Sequence, residues 1–173
     1  MAAVCRKIVV VGDTSCGKTS LIAAFSHGTY PSGNLPTLLD LQLVDTPISR
    51  GQFRLSLWDT TDQDEFRHLR PLAYPDCDIV LICFSIDSPK SLDNAQRRWA
   101  PEVQRFCNDK PTILVGCKKD LRDQEPEKQV TSKQATKVCR KIKAQKYLEC
   151  SAVTLEGVQA VFDAAAQAVL FLR

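Results

Sequence analysis

The chain has no stretch of about 18 consecutive apolar residues, no run of charges of one sign, and no two cysteines at the spacing of a zinc site. The first absence removes any membrane span, and without a leader-like start neither a secreted nor a membrane-spanning protein is expected. The second removes a polyelectrolyte tail. With 23 Lys and Arg against 20 Asp and Glu the net charge is +3, too small to argue for nucleic acid or an anionic membrane. The third bears on Cys5, Cys16, Cys77, Cys83, Cys107, Cys117, Cys139 and Cys150. Several of them sit inside apolar runs, where a thiol behaves as a small hydrophobe, so a reducing, cytoplasmic compartment is expected. The last residues, Phe171-Leu172-Arg173, form no CaaX box. A membrane role, at the inner face of the plasma membrane, is expected only if a lipidated tail exists beyond them.

What is present is the balance of a soluble globular protein: 44% apolar and 25% charged residues, enough chain for one domain over residues 1–173. Ile8 to Val11, Ile79 to Phe84 and Ile113 to Val115 are continuous apolar runs of strand length, the signature of strands buried on both faces. Helical patterns alternate with them at Thr19 to Ser26, at Ser91 to Phe106 (stripe Leu92, Ala95, Trp99, Val103, Phe106) and at Leu155 to Leu172 (Val158, Val161, Phe162, Ala165, Val169). Leu39 to Asp59 instead reads as a hairpin around Ser49-Arg50-Gly51. The expected fold is α/β, a six-stranded mostly parallel sheet with one antiparallel edge strand and helices on both faces, with ligands at the carboxyl ends of the strands. Arg122 to Lys133, charged and holding Pro126, reads as a mobile surface loop.

Directly after the first strand stands Gly12-Asp13-Thr14-Ser15-Cys16-Gly17-Lys18-Thr19, a full match to GxxxxGK[ST]. Successive backbone N–H groups in such a loop form an anion nest at a helix N-terminus. Lys18 reaches terminal phosphates, and the Thr19 hydroxyl suits Mg²⁺. Asp59, at the end of the third strand, is placed to hold the same ion, usually through water. Asp64 and Glu65 read equally well as solvated turn residues. Cys16 reads better as a buried hydrophobe than as a redox-sensitive thiol. Further on, Gly116-Cys117-Lys118-Lys119-Asp120 follows the fifth strand and Glu149-Cys150-Ser151-Ala152 the sixth. The Asp120 carboxylate matches the N1 and 2-amino donors of guanine, which adenine does not present.

Taken in order, the phosphate loop, YPSGNLPT, WDTTDQ, the KKD ending in Asp120, and ECSA resemble a small GTPase of the Ras superfamily, a P-loop NTPase. LRPLAYPDCDIVLICFSIDSPKSLDN and RRWAPEVQRFC resemble its Rho branch, and the likeness runs from Arg6 to Leu170. The resemblance implies GDP and GTP as ligands with Mg²⁺. It implies that Gly12 to Ser20, with Lys18 on the β and γ phosphates, cradle the nucleotide; that Thr19 and Thr37 ligate the metal, with Asp59 behind them; and that Tyr30 flanks the base. Cys117, Lys118, Asp120, Ser151 and Ala152 would surround the guanine, Asp62 would lie by the γ-phosphate, and Gln63 would orient the attacking water. Simpler alternatives stay open: Tyr30 as loop packing, Thr37 as a turn hydroxyl, Lys118 and Lys119 as a solvated pair. Effectors, exchange factors and GTPase-activating proteins would bind through Tyr30 to Asp40 and Thr60 to Leu72, on a monomer.

The chain departs from that family at residues that bear on turnover. Thr14 and Asp62 stand where Gly is usual, and Thr61 replaces a small Ala. A β-branched Thr14 crowds the γ-phosphate side, and Asp62 brings a negative charge toward it with a less permissive backbone. Cys117 replaces the usual Asn of the base motif. Leu38-Leu39-Asp40-Leu41-Gln42 differs from the usual effector sequence, and the extra helix between Leu121 and Glu149 is expected to be missing. The expectation is a Rho-like switch with weakened hydrolysis; the alternative is a hydrolysis-deficient GTP-binding scaffold. A third reading, an ATP-dependent P-loop enzyme, requires Asp120 to be incidental.

Overall fold

The computed structural model describes residues 4–31, 39–48 and 51–170. Its strands are β1 (Val4–Gly12), β2 (Leu39–Ile48), β3 (Gly51–Thr60), β4 (Ile79–Ser85), β5 (Thr112–Cys117) and β6 (Lys146–Glu149). They form one sheet in the order β2-β3-β1-β4-β5-β6, antiparallel between β2 and β3 and parallel elsewhere. This is the mostly parallel sheet expected, with β2 as its antiparallel edge. Thr37, Leu38, and Ser49 and Arg50 of the hairpin tip lie outside the described residues.

Every residue of β4 is buried, because helices cover both faces of the sheet. Ile8, Val10, Leu81 and Cys83 face one core with Leu21, Ile22, Val161 and Phe162 of α1 (Lys18–His27) and α5 (Val158–Leu170). There Phe25 stacks on Phe162 with ring centroids 4.0 Å apart. Val9, Val11, Ile82 and Phe84 face the other, with Leu92 of α2 (Pro89–Asn94), Val103 of α3 (Ala100–Phe106), and Ala135 and Val138 of α4 (Ser132–Lys141). The loop after β1 therefore opens at the centre of the sheet, between strands that run on to opposite edges.

Three expectations need correction. The helix over residues 89–106 is interrupted by a π turn at Ala95–Trp99. Pro101 has no N–H to give the carbonyl four residues back, and a widened turn accommodates that. Leu92, Ala95, Trp99 and Val103 are buried as the stripe predicts, but Phe106 is 42% exposed and stacks on Tyr74 instead. The last helix begins at Val158 rather than Leu155, which is exposed in a left-handed turn (φ 66°) ahead of Gly157 (φ 74°). Arg122 to Lys133 is not one open loop. It holds a 3-10 turn at Pro126–Lys128, buries Val130, and enters α4 at Ser132. Arg122 fastens it by donating to the Val130 carbonyl and to Glu149.

Candidate functional site

The phosphate loop is shaped by close approach. A Cβ on Gly12 would lie 2.3 Å from the Cys83 carbonyl oxygen, and Gly17 sits at φ 111°, so neither position takes a side chain without strain. The loop closes with the Cys16 N–H donating to the Asp13 carbonyl at 3.2 Å. At its centre the buried Lys18 ammonium donates to the carbonyls of Gly12 and Asp13, both at 2.8 Å. The first turn of α1 carries no acidic residue to offset the partial positive charge of its N-terminus. Thr14 and Ser15 stand exposed on the rim. Cys16 is buried, and burial pushes its thiol up to about 12, so at neutral pH it stays protonated and packs as a hydrophobe.

Asp13 does not turn its carboxylate to the loop's interior. It accepts from the Trp99 indole N–H and the Asn94 amide, both at 2.7 Å, tying the phosphate loop to the helix over residues 89–106. Its contribution to the loop is the main chain. Thr19 donates from its hydroxyl to the buried Asp59 carboxylate at 2.5 Å, where β3 runs alongside β1. One residue on, β3 ends with Thr60 donating to the Val10 carbonyl at 2.7 Å.

Across α1 from the loop lies a cavity of about 290 Å³, lined by Gly17, Ser20, Tyr30, Cys117, Lys118, Asp120 and Ala152 among others. Three motifs far apart in sequence thus share one wall. Asp120 is oriented from behind by the fully buried Ser151, whose hydroxyl donates at 2.6 Å, while the Thr154 N–H donates to that hydroxyl. Lys118 takes a left-handed conformation (φ 61°), and the next N–H, of Lys119, reaches the Cys150 carbonyl at 3.0 Å, which joins the two base-side segments. Tyr30 is 53% exposed at the mouth. Cys117 is buried; a Cβ on Gly17 would touch its Cβ at 3.0 Å, so its side chain packs directly under the phosphate loop.

A family model described as "Ras family" matches residues 7–171. The GTP-binding protein RHO1 of Candida albicans is 46% identical over 177 residues, covering 97% of this chain and 89% of its own. The GTP-binding proteins rho5 and rho1 of Schizosaccharomyces pombe are 46% and 45% identical, over 94% and 95% of this chain and 86% of their own lengths. The chain is a Rho-type small GTPase of the Ras family. The match to RHO1 is longer than this chain's 173 residues, so that relative carries residues this Rho-type protein lacks. Among the described residues the segment between Leu121 and Ser132 holds a 3-10 turn and no α-helix.

In this Rho-type chain the loop after β3 is gripped from the helix over residues 89–106. Arg70, buried, donates to the Thr61 carbonyl at 2.9 Å and makes a two-pronged pair with Glu102 at 2.6 and 2.7 Å. Arg98 donates to the Asp62 carbonyl at 3.2 Å. Both guanidinium groups lie against the Trp99 ring, 4.8 and 4.6 Å from its centroid. Trp99 therefore touches both halves of the site: its N–H holds the phosphate loop, and its ring backs the two arginines that hold the next loop. Thr61 accepts the Gln63 N–H at 3.2 Å, a side-chain turn that an Ala could not make. Among the described residues no hydrogen bond joins the Gln63 side chain to the phosphate loop, and Asp62 encloses one carboxylate oxygen without a partner. Sequence reasoning placed Trp99 in the core stripe but missed Arg70, Arg98 and Glu102, because charged residues on a helix face read as solvated until the partner loop is known to lie on them.

Proposed function

We propose that the chain, as one domain over residues 1–173, binds GDP and GTP and works as a signalling switch whose hydrolysis is slow. The observation that carries the reading is the Asp120 carboxylate, fixed by Ser151 at the edge of a cavity whose other wall is the phosphate loop. A carboxylate held there accepts from the two donors on the guanine edge and rejects adenine. Lys118 would lie along the base plane, Tyr30 would cover its mouth, Cys117 would support the base wall, and the Ala152 N–H would face the guanine carbonyl. Gly12 to Ser20 would wrap the phosphates, with Lys18 stabilising charge on the transferred phosphoryl group.

Thr19 and Asp59 supply two hard oxygens side by side, a donor set that suits Mg²⁺, with Thr37 outside the described residues. When bound, the ion would supply positive charge that offsets the phosphates. Gln63 would orient the attacking water. Its backbone is set by Thr61, and its neighbour Asp62 adds negative charge where the phosphate charge develops, so turnover is expected to be slow. The enclosed Asp62 oxygen also favours the second reading, a scaffold that holds GTP without hydrolysing it.

Exchange factors, effectors and GTPase-activating proteins would meet residues 30–40 and 60–72. Among the described residues there, Tyr30 and Leu72 are exposed large apolar groups, with the exposed Leu41 and Leu43 of β2 just beyond residue 40. Among the described residues no helix is long and apolar enough to cross a membrane. A cytoplasmic monomer is proposed, with membrane association only through a lipidated tail.

The test strips bound nucleotide with a chelator, then titrates fluorescent GTP, GDP and ATP in Mg²⁺. Guanine over adenine by about 10³-fold or more is expected; equal affinities would overturn the reading. A single-turnover GTP time course follows, with a rate at or below the ~10⁻⁴ s⁻¹ scale expected. Stimulation by an activating protein of ~10³–10⁵-fold would refute weakened hydrolysis.

A further inference from the structure

Two thiols stand apart from those around the phosphate loop. Cys77 lies in the turn between the 3-10 helix Arg70–Ala73 and β4, and Cys107 follows the last turn of α3. They are 30 residues apart, both buried, both free, with Sγ atoms 2.9 Å from each other. The approach is fixed from each side. The Cys77 N–H donates to the Tyr74 carbonyl at 3.1 Å and the Cys107 N–H to the Val103 carbonyl at 2.7 Å. Tyr74 itself stacks on Phe106 with centroids 5.2 Å apart and donates to Glu102.

Positive charge gathers on the Cys77 side of the pair. The hydrogen bond from Cys107 lowers the Cys77 thiol most, with Lys110 and Lys7 adding to it against the opposing effect of burial. Lys7 is held close by donating to the Pro75 carbonyl at 2.7 Å. Cys107 is shifted the other way, first by the same hydrogen bond and then by burial. Cys107 also forms part of the wall of an open cavity of about 490 Å³, beside Val103, Lys110 and Ile142, which brings solvent space up to one sulfur of the pair. Neither cysteine lines the cavity that holds Asp120.

We infer that Cys77 and Cys107 are a redox modification site: a hydroperoxide converts them reversibly to an intramolecular disulfide that staples the chain after residues 60–72 to α3. One thiolate of the pair attacks the peroxide O–O bond; an S–O bond forms, and the leaving alkoxide or hydroxide takes up a proton. The other sulfur, 2.9 Å away, then attacks the sulfenic sulfur, forming S–S and releasing water that carries away its proton. Two thiols and one hydroperoxide give one disulfide, one alcohol (or water) and one water, with two electrons passing from the sulfurs to the peroxide. A dithiol reductant reverses the step.

The test treats the full GDP-loaded chain with graded hydrogen peroxide, blocks remaining thiols with N-ethylmaleimide, and maps non-reduced peptides by mass spectrometry. The expected product is a Cys77–Cys107 linked pair that dithiothreitol separates, with a melting temperature higher by roughly 5–10 °C than the reduced chain. Retention of bound GDP is unchanged. C77S and C107S each abolish both the link and the temperature difference. Alkylation of both cysteines after peroxide, stable over-oxidation of either, or a link among Cys16, Cys83, Cys117 and Cys150 instead would overturn the assignment. All three outcomes are read on the unsubstituted chain, so a variant that fails to fold leaves the answer intact.

Discussion

The cavity edged by Asp120 and the loop after β3 sit on the same end of one sheet, yet they are built differently. In the first and the phosphate loop beside it, several groups proposed to meet a ligand are held by close neighbours: Ser151 fixes Asp120, the Cys150 carbonyl fixes the Lys119 turn, and the loop carbonyls fix Lys18. In the second, the backbone is held by Arg70 and Arg98, while Gln63 and Asp62 have side chains that the described contacts leave without such support. A recognition site and a hydrolytic loop on one framework can therefore diverge separately. On the proposed reading, binding draws on contacts at three strand ends, and hydrolysis on the short loop that holds Thr61, Asp62 and Gln63.

Five substitutions break or sharpen that contrast. Asp120→Ala should be the most damaging to binding, lowering guanine nucleotide affinity by about 10²–10³-fold because the donors of the base lose their acceptor; competition with labelled GDP measures it. The loop side predicts the opposite pattern for Arg70→Ala. Removing one partner of a buried pair should cost about 3–5 kcal/mol of stability, seen in urea unfolding, with a far smaller change in nucleotide affinity for the protein that remains folded.

The same pair sets an acid limit. Burial alone would raise the Glu102 carboxyl, but the Arg70 guanidinium and the Tyr74 hydroxyl hold it below its ordinary value of 4.5. A folded value below the unfolded one means that this stabilisation is fully present above about 4.5 and is lost as pH falls through the folded value. Melting temperatures from pH 6 to pH 3 should therefore fall less steeply in Glu102→Gln than in the parent chain, the Gln variant starting from a lower plateau. Trp99→Phe comes next in size: loss of the indole donor to Asp13 should cost about 1.5–3 kcal/mol and speed GDP release, because it loosens the phosphate loop and the backing of both arginines together. Asp62→Gly carries the smallest energy. It should raise single-turnover GTP hydrolysis by about tenfold, roughly 1.4 kcal/mol, while GTP affinity changes little; an unchanged rate would locate the defect at Thr14 instead.

What could be read before folding follows from how local each signal is. β4 announced itself as a continuous apolar run, since burial on both faces leaves no polar position to interrupt it. α4 did not: its residues are mostly polar or charged, and only Ala135, Val138 and Cys139 reach the core. A start signal was nonetheless present in Thr131 and Gln134, which form a reciprocal cap, the Gln134 N–H donating to Thr131 and the Thr131 N–H to Gln134. Leu155 fitted the helical stripe of α5 by spacing, yet Gly157 has to bend where a Cβ would strike the Glu149 carbonyl at 2.3 Å, and the helix cannot begin before it.

The order of motifs along this chain determined the family and the sheet, and named the residues proposed to meet a nucleotide, because each motif is a local shape tied to one strand end. Tertiary structure alone decided that Trp99 serves two loops, that Arg70 and Glu102 form a buried pair, and that Cys77 meets Cys107. Those contacts join residues 30 to 86 positions apart, and no local pattern records which helix face a distant loop will come to lie on.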